Sequence, residues 1–195
     1  ATGIGATISV NGPGSTRAEP SQEIYIDSVR VENPIVVHGR ARTFENTVQV
    51  RVRDARGGEI MEIFTTSVGE MGNHNPFVAS AWLTRLPGTQ VIVEAFEYSA
   101  KDGSVRSLTA DTLAFAVPSS SFTIDFPGND CTKTVSVRRE APRTVAVARL
   151  LAEILVAGPD SAERAAGAAS VFPRGSRVQS VILRQGELTV DFNER

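Results

Sequence analysis

From Ile24 to about Val117, hydrophobic and polar positions alternate in short runs broken by turn residues, the pattern of half-buried strands. The runs are IYIDSV (24–29), IVVHGRA (35–41), TVQVRVRD (47–54), EIMEIFTTSV (59–68), FVASAWL (77–83), TQVIVEAFEYS (89–99) and TLAFAV (112–117). In TVQVRVRD, Val48, Val50 and Val52 fall on one face while Gln49, Arg51 and Arg53 fall on the other, as in a strand with one dry and one wet side. DARGG (54–58) and Asp102-Gly103 supply turn residues, and Asn33-Pro34 and Leu86-Pro87-Gly88 interrupt the strands. Seven such strands over residues 24–118 predict an immunoglobulin-like β-sandwich.

The pattern changes at Ser119-Ser120-Ser121. FTIDF (122–126) and residues 134–138 alternate as strands, and residues 142–156 carry Val147, Leu150, Leu151, Ile154 and Leu155 at helical spacing, closed by Gly158-Pro159. Residues 178–183 and 188–192 flank Gln185-Gly186 as a tight hairpin. Residues 122–195 therefore predict a small α+β domain, a sheet covered by one helix. Residues 1–23, rich in Gly, Ser, Thr and Pro, predict a flexible leader or linker in which Ile8–Val10 offers an edge strand.

Composition narrows the chemistry. At 41% hydrophobic residues the chain can bury a core, and a formal charge of -2 provides no broad basic footprint for nucleic acid. No run is apolar for the roughly 18 residues that a membrane span needs. The start at Ala1 shows no signal peptide, which fits a mature form whose export signal or lipid anchor has been removed. Cys131 is the sole cysteine, so no intrachain disulfide forms; it reads as a small semi-buried residue before it reads as a reactive thiol. His38 and His74 lie in separate segments, no metal or nucleotide motif is present, and Asp54 and Asp102 read as turn residues rather than calcium ligands. The expectation is a non-enzymatic chain with no cofactor.

Residues 24–118 resemble the immunoglobulin-like, Gmad-type domain of bacterial spore germination through NPIVVHGRA (33–41), VQVRVRDARG (48–57), NPFVASAWL (75–83) and EYSAKDGS (97–104), including Val37-His38-Gly39-Arg40-Ala41 in the family's V-x-G-x-A pattern. Residues 122–193 resemble a GerMN sporulation and germination domain through VSVRRE (135–140), LLAEILVAGP (150–159), VFPRGSRVQSVIL (171–183) and QGELTVDF (185–192). Such domains continue with a further helix and strand, so the resemblance implies a C-terminally shortened domain, truncated or completed by a partner.

The resemblance implies an extracytoplasmic interaction and assembly module of the cell envelope, with other envelope proteins or peptidoglycan as partners. The candidate contact residues are Trp82, Tyr98, Arg51, Arg53, Val190 and Phe192. Arg40, Arg42, Arg51 and Arg53 offer contacts to anionic wall polymer, or form a solvated face. A regular strand places Trp82 opposite Phe77, Ala79, Ala81 and Leu83, whereas a bulge returns it to the core. A sheet ending at Val190–Phe192 predicts an open edge and self-association by strand pairing. The rival expectation is a carbohydrate-binding accessory module with Trp82 and Tyr98 as stacking platforms.

Overall fold

The computed structural model describes residues 7–9, 22–130 and 132–193, with the side chains of 7–9 left aside. Contacts divide the chain into two compact units, one formed by the chain up to Leu83 with Pro87–Val117, the other by Thr84–Leu86 with the chain from Pro118 onward.

The first unit contains β1 (Thr7–Ser9), β2 (Ile24–Arg30), β3 (Ile35–Ala41), β4 (Thr47–Asp54), β5 (Glu59–Thr66), β6 (Asn75–Ala81), β7 (Gln90–Tyr98) and β8 (Val105–Ala114). They form two four-stranded antiparallel sheets, ordered β1-β2-β3-β6 and β5-β4-β7-β8. This is the expected immunoglobulin-like sandwich. The edge strand read at Ile8–Val10 is β1, one residue earlier, with Ile8 opposite Val29. The remainder of the leader, residues 1–6 and 10–21, lies outside the described residues.

Alternation determines what each sheet buries. Val48, Val50 and Val52 of β4 meet Val91, Val93 and Ala95 of β7 in a core shared with Ile35, Val37, Phe77 and Leu83. Each of these valine, isoleucine, leucine and phenylalanine side chains contributes roughly 1.5–3 kcal/mol when fully removed from water. Gly39 makes room for the largest of them: a Cβ there would stand 2.2 Å from the Tyr25 carbonyl and 2.5 Å from the Phe77 ring. The glycine of the V-x-G-x-A pattern is thus a packing requirement.

The last strand differs from the expectation. Residues 112–117 read as its whole length, whereas β8 begins at Val105. It is an edge strand with one wet face, and Ser107 takes a positive φ of 54° at a register shift, so polar residues dominate its first half and break the alternation.

The second unit contains β9 (Ser119–Pro127), β10 (Thr134–Pro142), α1 (Val147–Ala157), α2 (Ser161–Ala165), β11 (Val178–Arg184) and β12 (Glu187–Phe192). Instead of one sheet under a helix, it has two separate two-stranded sheets, β9–β10 and β11–β12. The helix begins at Val147 rather than residue 142 because β10 runs on to Pro142, which pairs with Ser119. Its buried stripe narrows to Leu150, Ala152 and Ile154, leaving Val147 and Leu155 exposed. Helix α2 falls in the polar, alanine-rich stretch 160–170, to which the sequence pattern assigns no element. Its signal is a capping box, in which Asp160 accepts from the Glu163 amide and Glu163 accepts from the Asp160 amide.

Candidate interaction surfaces

The outer face of the second sheet gathers three of the residues singled out from the sequence. Strand alternation turns Arg51 and Arg53 outward, and the ladder places Arg51 opposite Glu62 on β5 and Glu94 on β7. Arg51 Nε donates to Glu94 Oε2 at 2.6 Å, and Arg53 Nε donates to the same oxygen at 3.0 Å. Arg51 also lies 3.6 Å from Glu62 and stacks 4.6 Å above the Phe96 ring. Tyr98 donates its hydroxyl to Glu62 Oε1 at 2.9 Å and meets Phe96 edge-on at 5.1 Å.

The electrostatics follow from this closure. Burial opposes the charge on Glu94, yet the hydrogen bonds and charges of Arg51 and Arg53 outweigh it and hold the carboxyl below its ordinary range. The Arg51 and Glu94 side chains are each only 12% exposed. Cations matched in this way give the sheet a chain of paired charges rather than a bare basic patch. The bond to Glu62 pushes the Tyr98 phenol up in pKa, with burial adding to it.

Arg40 leaves from β3 of the other sheet and Arg42 from the residue just past its end, and so they do not join Arg51 and Arg53. Arg40 forks onto Asp27 at 2.9 and 3.0 Å and lies 5.2 Å from the Tyr25 ring centroid. Arg42 donates to both oxygens of Glu23. Trp82 follows the end of β6 and is half-buried between buried Ala81 and Leu83. The Leu83 backbone is held by Asn33, whose side chain donates to its carbonyl at 3.2 Å and accepts from its amide at 2.9 Å. Trp82 stands just past a strand of the first sheet and Tyr98 ends a strand of the second, so the two rings do not share one sheet surface.

In the second unit two of the four sequence blocks, VSVRRE and LLAEILVAGP, meet at one guanidinium. Arg139, from the basic end of β10, donates to both carboxylate oxygens of Glu163 and, at 2.8 Å, to the carbonyl of Gly158. It also lies 5.1 Å from the Phe126 ring centroid. Hydrogen bonding from Arg139 holds the Glu163 carboxyl below its ordinary range. Arg149 of α1 plays a parallel part, donating to Glu153 at 2.8 Å and to the carbonyls of Val178 and Gln179 at the root of β11. The Arg149–Glu153 pair is a local i,i+4 helix pattern, whereas the other bonds join residues distant in sequence and leave no local signal.

The β11–β12 hairpin turns at Gln185-Gly186, whose φ angles of 50° and 83° suit the tight turn expected there. Val190 pairs with Val181, Leu188 with Leu183, and Phe192 with Val178. Phe192 and Phe172 lie 5.2 Å apart. The face they share is buried at Val178, half-buried at Val181, Val190 and Phe192, and bare at the tip, where Leu183 and Leu188 are 65% and 48% exposed. Among the described residues, the outer edge of β12 has no strand partner.

His38 is exposed on β3, and exposed His74 contacts the Gln22 carbonyl through Nε2 at 3.1 Å, with its ring edge-on to Tyr25. Cys131 lies outside the described residues. Among the described residues no group of three or more His, Cys, Asp or Glu gathers as a metal would require, and no helix is long and apolar enough to cross a membrane.

Comparison with known proteins places these surfaces in context. No curated protein matches the chain, and no solved structure does. Two family models do match: the immunoglobulin-like domain of bacterial spore germination over residues 26–104, and a domain described as sporulation and spore germination over residues 120–195. The chain therefore joins an immunoglobulin-like spore-germination domain to a domain of the sporulation and spore germination family.

Proposed function

We propose that this chain is a non-enzymatic assembly module acting outside the cytoplasm, at the cell envelope, in sporulation or spore germination. The two family matches, both described by sporulation or spore germination, support the process. The observation that carries the contact role is the β11–β12 hairpin, an apolar face running from a buried root to a bare tip beside an open strand edge. Open edges bearing apolar side chains favour pairing with another strand.

The sequence of β12 suits pairing with a second copy. An antiparallel two-fold register centred on Val190 sets Val190 beside its own copy and Leu188 opposite Phe192 on one face, with Thr189 opposite Asp191 on the other. No like charges oppose each other in that register. The sandwich then serves as a rigid body that presents its outer faces to other envelope proteins or to peptidoglycan. Light scattering across micromolar concentrations tests the self-pairing, and pull-down on purified peptidoglycan and on envelope extracts tests the wider role.

A carbohydrate-binding reading rests on Tyr98, an exposed ring with a hydrogen-bonded hydroxyl. Glycan pull-down with Tyr98→Ala separates it from the protein-contact reading, and Trp82→Ala serves as the comparison on the other sheet.

A further inference from the structure

On the same face of the sandwich as the Arg51 network, a shallow cavity of about 220 Å³ is lined by Phe44, Glu45, Thr47, Gln49, Glu97, Tyr98 and Ala100. We propose that this slot takes the cationic side chain of an arginine or lysine from a protein partner. The proposal extends the module role to the first unit and is independent of the hairpin.

Charge decides the ligand class. The lining holds two carboxylates and no base. Elsewhere on this face the carboxylates are matched, Glu62 and Glu94 by Arg51 and Arg53. Glu97 is held only by neutral donors, the Phe44 amide at 3.2 Å and the Ser107 hydroxyl at 3.1 Å, and among the described residues neither Glu45 nor Glu97 forms an ion pair. Arg106 stands opposite Glu97 in the β7–β8 ladder without reaching it as an ion pair.

The aromatic walls point the same way. Phe44 is 64% exposed and Tyr98 42%, an unusual investment of ring surface in water beside two carboxylates. Aromatic faces next to carboxylates attract a cation by combining ring quadrupole and charge. Phe44 is held out by a strained turn: Glu45 and Asn46 both take left-handed φ angles, 54° and 57°. The buried Thr43 hydroxyl at the foot of that turn finds no partner among the described residues. The cavity is below the roughly 300–1,000 Å³ of ordinary small-molecule sites, which suits one side chain better than a free metabolite.

The probe is Nα-acetyl-arginine amide, titrated into the isotopically labelled chain and followed by amide NMR shifts. The expected result is saturable shifts confined to the turn at Phe44 and to Gln49, Glu97 and Tyr98, with affinity falling about tenfold in Glu97→Gln. That substitution keeps an oxygen to accept from the Phe44 amide, so the fold is retained. Phe44→Ala gives a second loss that leaves both carboxylates in place. Absence of saturable shifts at these amides overturns the proposal, as does equal binding by Glu97→Gln or equal response to Nα-acetyl-glutamate amide. Saturation by a chitin oligomer in place of the arginine amide overturns it in favour of carbohydrate. None of these results bears on self-pairing through β12, which light scattering reads separately.

Discussion

Arg139 binds the carboxylate of Glu163 and the carbonyl of Gly158 at once, so a single guanidinium fastens strand β10 to the end of α1 and the start of α2. The basic strand end and the Gly-Pro helix stop, separate blocks in the sequence, are two halves of this one junction. Gly158 suits it with a φ of 74° and an amide bonded back to Ile154 and Leu155. Arg139→Ala should destabilise the second unit by about 2–3 kcal/mol, since it leaves a largely buried carboxylate and a carbonyl without their charged donor. The sole tryptophan, Trp82, lies in the first unit, so its fluorescence should change little in this variant while hydrogen exchange at α1 and α2 quickens.

The same junction sets an acid limit. The folded pKa of Glu163 is depressed by Arg139, so its contribution is present above the unfolded value near ~4.3 and is lost as pH falls through the folded value. Glu153 has the opposite sign: burial raises its pKa more than Arg149 lowers it, so its charged form is disfavoured in the fold. Glu163→Gln should therefore weaken the second unit at neutral pH and flatten its acid loss, whereas Glu153→Gln should leave neutral-pH stability unchanged or higher. Urea unfolding followed by circular dichroism from pH 3 to 8 checks both, on the scale of ordinary carboxylate titration.

Two arginines share Glu94, but unequally. Arg51 makes the shorter bond, covers Phe96 and reaches Glu62, while Arg53 also donates to the Gly57 carbonyl. Arg51→Ala should cost about 3 kcal/mol, because it exposes the Phe96 ring and removes the closer of the two cations from a largely buried carboxylate. Arg53→Ala should cost about 1 kcal/mol, since Glu94 keeps Arg51. Equal losses in thermal unfolding followed by Trp82 fluorescence would refute this ranking.

Gly39→Ala should be severe. The added methyl has backbone on one side and the packed Phe77 ring on the other, neither a flexible side-chain end. A loss of about 3 kcal/mol or failure to fold is expected, in keeping with overpacked cores. Gly57→Ala is the control for positive φ alone: its Cβ meets open space, so its cost should stay near ~1 kcal/mol.

How much of this was legible in the sequence depends on what each residue faces. TVQVRVRD was readable to both ends, since its valines enter a core, its arginines meet water-side partners and DARGG stops it. The edge strand β8 was half hidden, because a strand wet on one face and broken at Ser107 does not alternate cleanly. Arg51 and Arg53 could be placed on an outward face and Tyr98 could be named as a contact ring; their union through Glu62 and Glu94 could not be read, because ladder register between strands far apart in sequence is a tertiary property. The bonds of Arg139, and those of Arg149 to the Val178 and Gln179 carbonyls, are tertiary in the same way, and α2 has only the short Asp160–Glu163 box as its signal.

The oligomeric state of the chain tests assembly through β12 most directly. Light scattering from micromolar upward should show a concentration-dependent dimer that reverts to monomer in Leu188→Lys, while Trp82 fluorescence and the sandwich remain as they were. A strict monomer throughout, or a dimer indifferent to Leu188→Lys, would contradict assembly through the β12 edge.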